Sequence, residues 1–126
     1  MSEPVPRRRA LVIEDDGAVR ELLVETLELR GIEVEAVDSA DEALRLLERY
    51  ARPDLIVLDR RMPGMSGDDL LTRLKGSPRW SKIPVAVVSG VSRREHEMSA
   101  KPEVYLEKPF DIDTFDEALR DMGAGG

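Results

Sequence analysis

The sequence predicts an α/β fold, a five-stranded parallel sheet covered on both faces by about five helices. Two observations lead there: five short apolar runs alternate with stretches of helical periodicity, and the central runs are continuously apolar, as in strands buried on both sides. At 126 residues the chain suits one compact core and is too short for two.

Ala10 to Ile13 is the first apolar run, closed by Glu14, Asp15 and Asp16. Asp16 can cap a helix whose apolar positions Val19, Leu22, Leu23, Thr26 and Leu27 recur at helical spacing, with Gly31 as its stop. Ile32 to Val37 alternates apolar residues with Glu33 and Glu35, the pattern of an edge strand. Ser39 and Glu42 form a capping box for a helix that buries Ala43, Leu46, Leu47 and Tyr50. Asp54 to Asp59, reading DLIVLD, is an apolar strand ending in a carboxylate. Pro63, Gly64 and Gly67 punctuate the next loop; Ser66 and Asp69 open a helix with Leu70, Leu71 and Leu74 as its buried stripe. Trp80 packs a loop before the fourth strand, Pro84 to Ser89. Gly90 to Pro102 has few apolar residues and predicts a short or mobile helix, with His96 a solvated residue on it. Val104 to Leu106 is the fifth strand, and Phe115, Ala118, Leu119 and Met122 mark a last amphipathic helix.

The expected domain spans 9–122, with flexible tails at 1–8 and 123–126, the latter also readable as the start of a linker. No apolar run approaches the roughly 20 residues of a membrane helix, so no membrane insertion is expected, and the start MSEPVPRRR lacks a signal peptide's apolar stretch. A cytoplasmic location is therefore expected. The absence of cysteine excludes disulfides, thiolate metal sites and a cysteine nucleophile. A net charge of −7 argues against direct binding to nucleic acid, and Arg7 to Arg9 read as a solvated strand entry.

In an open parallel sheet, ligands bind beyond the carboxyl ends of the strands. Glu14, Asp15 and Asp16 follow the first strand, Asp59 ends the third, Ser89 ends the fourth, and Lys108 with Pro109 follows the fifth. Converging carboxylates raise one another's pKa unless a cation compensates. Hard oxygen donors with open positions suit Mg²⁺, with Mn²⁺ as the alternative ion; a single histidine and no cysteine leave little for zinc. With such an ion and the Lys108 ammonium offsetting phosphoryl charge, Asp59 could act as nucleophile and form an aspartyl phosphate.

The segments VIEDD, VLDRRMPGMSG, VVSG and YLEKPF, in that order, closely resemble the receiver domains of two-component response regulators, single-domain chemotaxis regulators among them. The resemblance runs from about Arg9 to Met122. It implies a flavodoxin-like, doubly wound sheet of order 2-1-3-4-5, an order for which a receiver of this family is a standard example. It makes Asp59 the phosphoacceptor, Asp15 a direct metal ligand, Glu14 a ligand through water, and the backbone carbonyl of Arg61 the remaining protein ligand. Asp16 fits either a helix cap or a metal contact. Ser89 corresponds to the hydroxyl that meets the phosphoryl group, Lys108 to the essential amine, and Tyr105 to the switch aromatic; the Lys108–Pro109 bond is expected to be cis.

The implied function is a signalling phosphoacceptor, not a turnover enzyme. A sensor histidine kinase or phosphotransfer protein donates to Asp59 in a Mg²⁺-dependent reaction. Movement of Ser89 and Tyr105 then shifts a face read by a downstream protein or output domain. Phosphohydrolases of the haloacid-dehalogenase kind carry a second aspartate two residues beyond the nucleophile, where this chain has Arg61. The remaining alternative is a degenerate receiver serving as a phosphorylation-independent scaffold. Arg61 and Val91 lie near the family's solvent entrance to the phosphoryl group, which predicts slow loss of phosphate.

Overall fold

The computed structural model describes residues 8–62, 64–90, 98 and 100–123. Its elements run β1 (Arg9–Ile13), α1 (Gly17–Glu28), β2 (Glu33–Val37), α2 (Ala40–Arg49), β3 (Leu55–Asp59), α3 (Gly67–Lys75), β4 (Val85–Ser89), β5 (Val104–Glu107) and α4 (Ile112–Asp121). All strand pairs are parallel, in the order β2-β1-β3-β4-β5. Four helices are present among the described residues, against about five expected. Most of the segment holding the expected additional helix, 91–97 and 99, lies outside them, and so do Pro63, Val91 and His96.

Side chains of successive strand residues point to opposite faces, and this alternation sorts the core into two layers. Ala10, Val12, Leu55, Val57, Ala86, Val88 and Leu106 pack with Leu23 and Leu27 of α1 and with Phe115, Ala118 and Leu119 of α4. Leu11, Ile13, Ile56, Leu58, Val85 and Val87 pack with Ala43 and Leu47 of α2 and with Leu70, Leu71 and Leu74 of α3. β3 and β4 are buried along their whole length, because both faces are covered and both edges paired. β2 is an edge strand, as its alternating glutamates predict, and β5 forms the other edge.

Local signals account for the helix ends. Oδ1 of Asp16 accepts from the backbone N–H groups of Ala18 and Val19 at 2.9 and 3.1 Å, so Asp16 is the cap of α1. Ser39 and Ser66 accept from the backbones of Glu42 and Asp69, as their spacing predicts. Gly31 adopts φ +77°, a left-handed turn that L side chains avoid. Two expected core positions are corrected. Leu22 is 58% exposed and Tyr50 57%: the stripe of α1 is narrower than its run of apolar residues, and Tyr50 lies past the end of α2 in extended backbone. Trp80 packs against the α2/α3 layer.

Candidate functional site

Because the strands are parallel, the residues ending them assemble along one edge of the sheet. Ile13 pairs with Leu58 and Asp59 with Val88, so Glu14 and Asp59 stand side by side just above the core. The sheet contacts continue one step further: Glu14 N donates to the Val37 carbonyl, Arg60 N to that of Val88, and Lys108 N to that of Ser89. In the pleat, Glu14, Asp59 and Lys108 continue the rows facing α1 and α4. Arg60, Tyr105 and Ser89 belong to the rows facing α2 and α3.

Carboxylate oxygens of Glu14, Asp15 and Asp59 lie within 4.8 Å of one another. Glu14 is 1% exposed and Asp59 only 7%, while Asp15 opens to solvent. Nζ of Lys108 donates to Glu14 at 2.9 Å and lies 3.6 Å from Asp59, and the Lys108–Pro109 bond is cis, as the resemblance implies. Three carboxylates thus face one ammonium. Burial, then the neighbouring Glu14 carboxylate, pushes the Asp59 pKa up to about 7, against the lowering pull of Lys108 and of the Arg61 N–H. Burial works against the Lys108 ammonium, but the Glu14 hydrogen bond and the charges of Asp59 and Glu14 outweigh it and raise its pKa. Negative charge is in excess, and the donors are hard oxygens on one open side. That arrangement fits a small divalent cation such as Mg²⁺.

Ser89 is buried at the end of β4, and Tyr105 sits half-buried on β5, beside Val87. The Arg61 side chain is exposed, and its N–H reaches Asp59 Oδ1 at 3.5 Å. Asp16, occupied as a helix cap, is outside the acidic cluster.

Three residues that the sequence did not assign to the site shape it. Nη1 of Arg20, one turn into α1, donates to the Glu14 carbonyl at 2.9 Å and the Asp15 carbonyl at 3.5 Å, tying down the acidic loop. Gly67 donates to the Arg60 carbonyl at 2.9 Å. A Cβ there would lie 2.7 Å from Arg60 Cα and nearer still to the Asp59 carbonyl oxygen, so only glycine lets α3 start against this peptide. Glycine as the first residue of a helix was the available signal. Arg60, 6% exposed, forms a two-point ion pair with Asp68 and a hydrogen bond to the Tyr105 hydroxyl.

Residues 10–120 match the family described as the response regulator receiver domain. The chain belongs to that family. The receiver domain is 37% identical over 103 residues to the phosphate regulon transcriptional regulatory protein PhoB of Rhizobium meliloti, covering 79% of this chain and 44% of that protein. It is 41% identical over 106 residues to the response regulator protein FleR of Pseudomonas aeruginosa, covering 82% of this chain and 22% of FleR. The chain therefore spans less than half the length of these two relatives. Among solved structures it superposes on the response regulator TrrA of Thermotoga maritima, crystallised in complex with Mg²⁺-BeF. That match has a TM-score of 0.81 and 28% identity over 91% of this chain and 98% of the other. No helix of the described residues is long and apolar enough to cross a membrane.

Proposed function

We propose that this receiver domain accepts a phosphoryl group on Asp59 from a sensor histidine kinase or phosphotransfer protein and relays the event to a downstream protein or output domain. The observation that carries this reading is the nearly buried Asp59 carboxylate between two further carboxylates and the Lys108 ammonium. A structural role would leave that excess charge at a cost with no return. The TrrA complex with Mg²⁺-BeF supports the cofactor, since a relative 28% identical holds that ion.

Asp15, Asp59 and the Arg61 carbonyl would hold Mg²⁺ directly and Glu14 through water; Mn²⁺ would serve in its place. Bound there, the ion supplies positive charge for the oxygens of the transferring phosphoryl group. The chain's own residues do the rest. A carboxylate oxygen of Asp59 attacks phosphorus in line, the new P–O bond replaces the P–N bond to the donor histidine, and that nitrogen leaves with the bonding pair and takes up a proton. Lys108, held by Glu14, stabilises charge on the phosphoryl oxygens from the other side. Ser89 hydrogen-bonds the product, and Tyr105 on the adjacent strand responds. The domain catalyses its own phosphorylation and its later hydrolysis, and works in the cytoplasm.

The test is incubation with Mg²⁺ and acetyl phosphate, followed by intact mass and peptide mapping. One added phosphoryl group on the Asp59 peptide, absent in Asp59→Asn and absent with EDTA, is the expected result. No adduct from acetyl phosphate or from a phosphorylated histidine donor would overturn the proposal in favour of a constitutive scaffold.

A further inference from the structure

Asp59 and Arg60 are consecutive, so the pleat sends them to opposite sides of the sheet. Asp59 joins the acidic cluster, while Arg60 enters the layer between the sheet and α3. A guanidinium 6% exposed needs its donors satisfied, and each of its three nitrogens has a partner. Nε and Nη2 form a fork with the Asp68 carboxylate at 2.8 and 3.2 Å, and Nη1 donates to the Tyr105 hydroxyl at 3.0 Å. The guanidinium carbon is also 5.8 Å from the Tyr105 ring centroid. Asp68 lies in the first turn of α3, which Gly67 seats directly against the Asp59–Arg60 peptide. One rigid planar group thus joins the backbone of the acceptor, the start of α3 and the aromatic residue of the edge strand, two strands away from β3.

We infer that Arg60 is a positioning residue that latches Tyr105: anchored by Asp68, it holds the Tyr105 hydroxyl on the α3 side and so sets how readily that ring moves when the acceptor site changes. The inference rests on the proposed switch role of Tyr105, but the latch itself exists in the unmodified protein. Lysine would not replace arginine, since a single ammonium cannot span Asp68 and Tyr105 as the planar fork does. Asp68, more than a third exposed at its side chain, can lose its partner and remain solvated.

The chain has two tyrosines, Tyr50 and Tyr105. Replacing the exposed Tyr50 by phenylalanine leaves Tyr105 as the single site for 3-fluorotyrosine and ¹⁹F NMR. Without phosphoryl donor, Arg60→Met is expected to move the Tyr105 resonance, or to raise the population of a second one by roughly tenfold, the order set by one hydrogen bond from a charged donor. Asp68→Asn, which leaves the layer packed, should give a smaller shift in the same direction, and Arg60→Lys should not restore the starting spectrum. Phosphorylation of the Tyr50→Phe protein should move its resonance toward that of Arg60→Met. A Tyr105 resonance unchanged in both Arg60→Met and Asp68→Asn overturns the latch. A resonance that shifts in those variants but not on phosphorylation overturns its link to the acceptor. Failure to detect an Asp59 adduct by mass would instead overturn the phosphoacceptor reading and leave the latch measurement standing.

Discussion

Replacing Asp59 by asparagine should stabilise the fold at alkaline pH in the absence of divalent metal. The folded-state pKa of Asp59 is raised, from 3.8 to about 7, first by burial and then by Glu14. The native state therefore keeps a proton that the unfolded chain has lost between pH ~4 and ~7; stability falls as pH rises through that window and levels off above it. At ~1.4 kcal/mol per pH unit, ionised Asp59 costs the fold up to ~4 kcal/mol, and water on the open side of the site screens this to roughly 2 kcal/mol. Asparagine keeps the shape without the charge, and Lys108 keeps its 2.9 Å partner in Glu14. The assay is urea and thermal unfolding, followed by circular dichroism, in EDTA at pH 8 and pH 4.5. At pH 8 the variant should gain roughly 2 kcal/mol, or about 5–10 °C in Tm for a chain of this size. At pH 4.5, where the unfolded carboxyl is already mostly ionised, the gain should shrink to about 1 kcal/mol. Millimolar Mg²⁺ should then close the gap by stabilising only the wild type, because binding to the native state adds to its stability by mass action. Equal stabilities at pH 8, or a gain that persists undiminished at pH 4.5, would refute the reasoning.

Gly67→Ala should lose about 1–3 kcal/mol in urea unfolding, because the added carbon meets backbone at Asp59 and Arg60 that has no room to yield; a loss under ~0.5 kcal/mol would mean that the close approach is soft. Asp16→Ala should cost ~1 kcal/mol of stability as a lost cap, with Mg²⁺ affinity by isothermal titration unchanged within about threefold, whereas Asp15→Asn should do the reverse. Lys108→Met should slow labelling by acetyl phosphate by roughly 10²–10³-fold, as expected for removal of one charge-stabilising donor. The same variant should lose roughly 2 kcal/mol at pH 8 in urea unfolding, because buried Glu14 loses its ion-pair partner.

The parts of this molecule most legible in the sequence are those where one residue type must follow another. An acid closing an apolar strand, as Asp59 and Glu14 do, has no cheap structural explanation, and parallel strands bring all such ends to one edge. Helix caps were equally plain, and geometry decided the ambiguous Asp16 because its carboxylate already accepts two backbone N–H groups. The order of the strands was legible only through the family resemblance. A strand buried on both faces, such as LIVLD or VAVVS, carries no alternation to say which neighbour it takes. Leu22 and Tyr50 misled for the opposite reason: each continues an apolar periodicity past the point where the helix meets the sheet. Arg60 was invisible, since an arginine after a strand reads as a solvated charge, and its partners lie eight and 45 residues along the chain.

Asp59 and Arg60 suggest how a receiver divides two tasks over neighbouring residues. The proposed acceptor chemistry needs clustered oxygen donors with one open side; buried Glu14 and Asp59, on the rows facing α1 and α4, and exposed Asp15 supply them. The proposed latch uses the opposite rows, from Arg60 to Tyr105, with Asp68 of α3 as its anchor. The pleat assigns these tasks to consecutive residues without either intruding on the other. The shared element is the backbone of Arg60, whose N–H donates to the Val88 carbonyl of β4 and whose carbonyl accepts from Gly67 N. On the proposed reading, a new group on Asp59 meets Ser89 at the end of neighbouring β4 and Lys108 just after β5, with the Arg60 fork on the opposite side of the sheet. Gly67→Ala, whose added carbon meets the Asp59 and Arg60 backbone, should therefore disturb the proposed latch as well as the fold, and the ¹⁹F resonance of Tyr105 in that variant measures it.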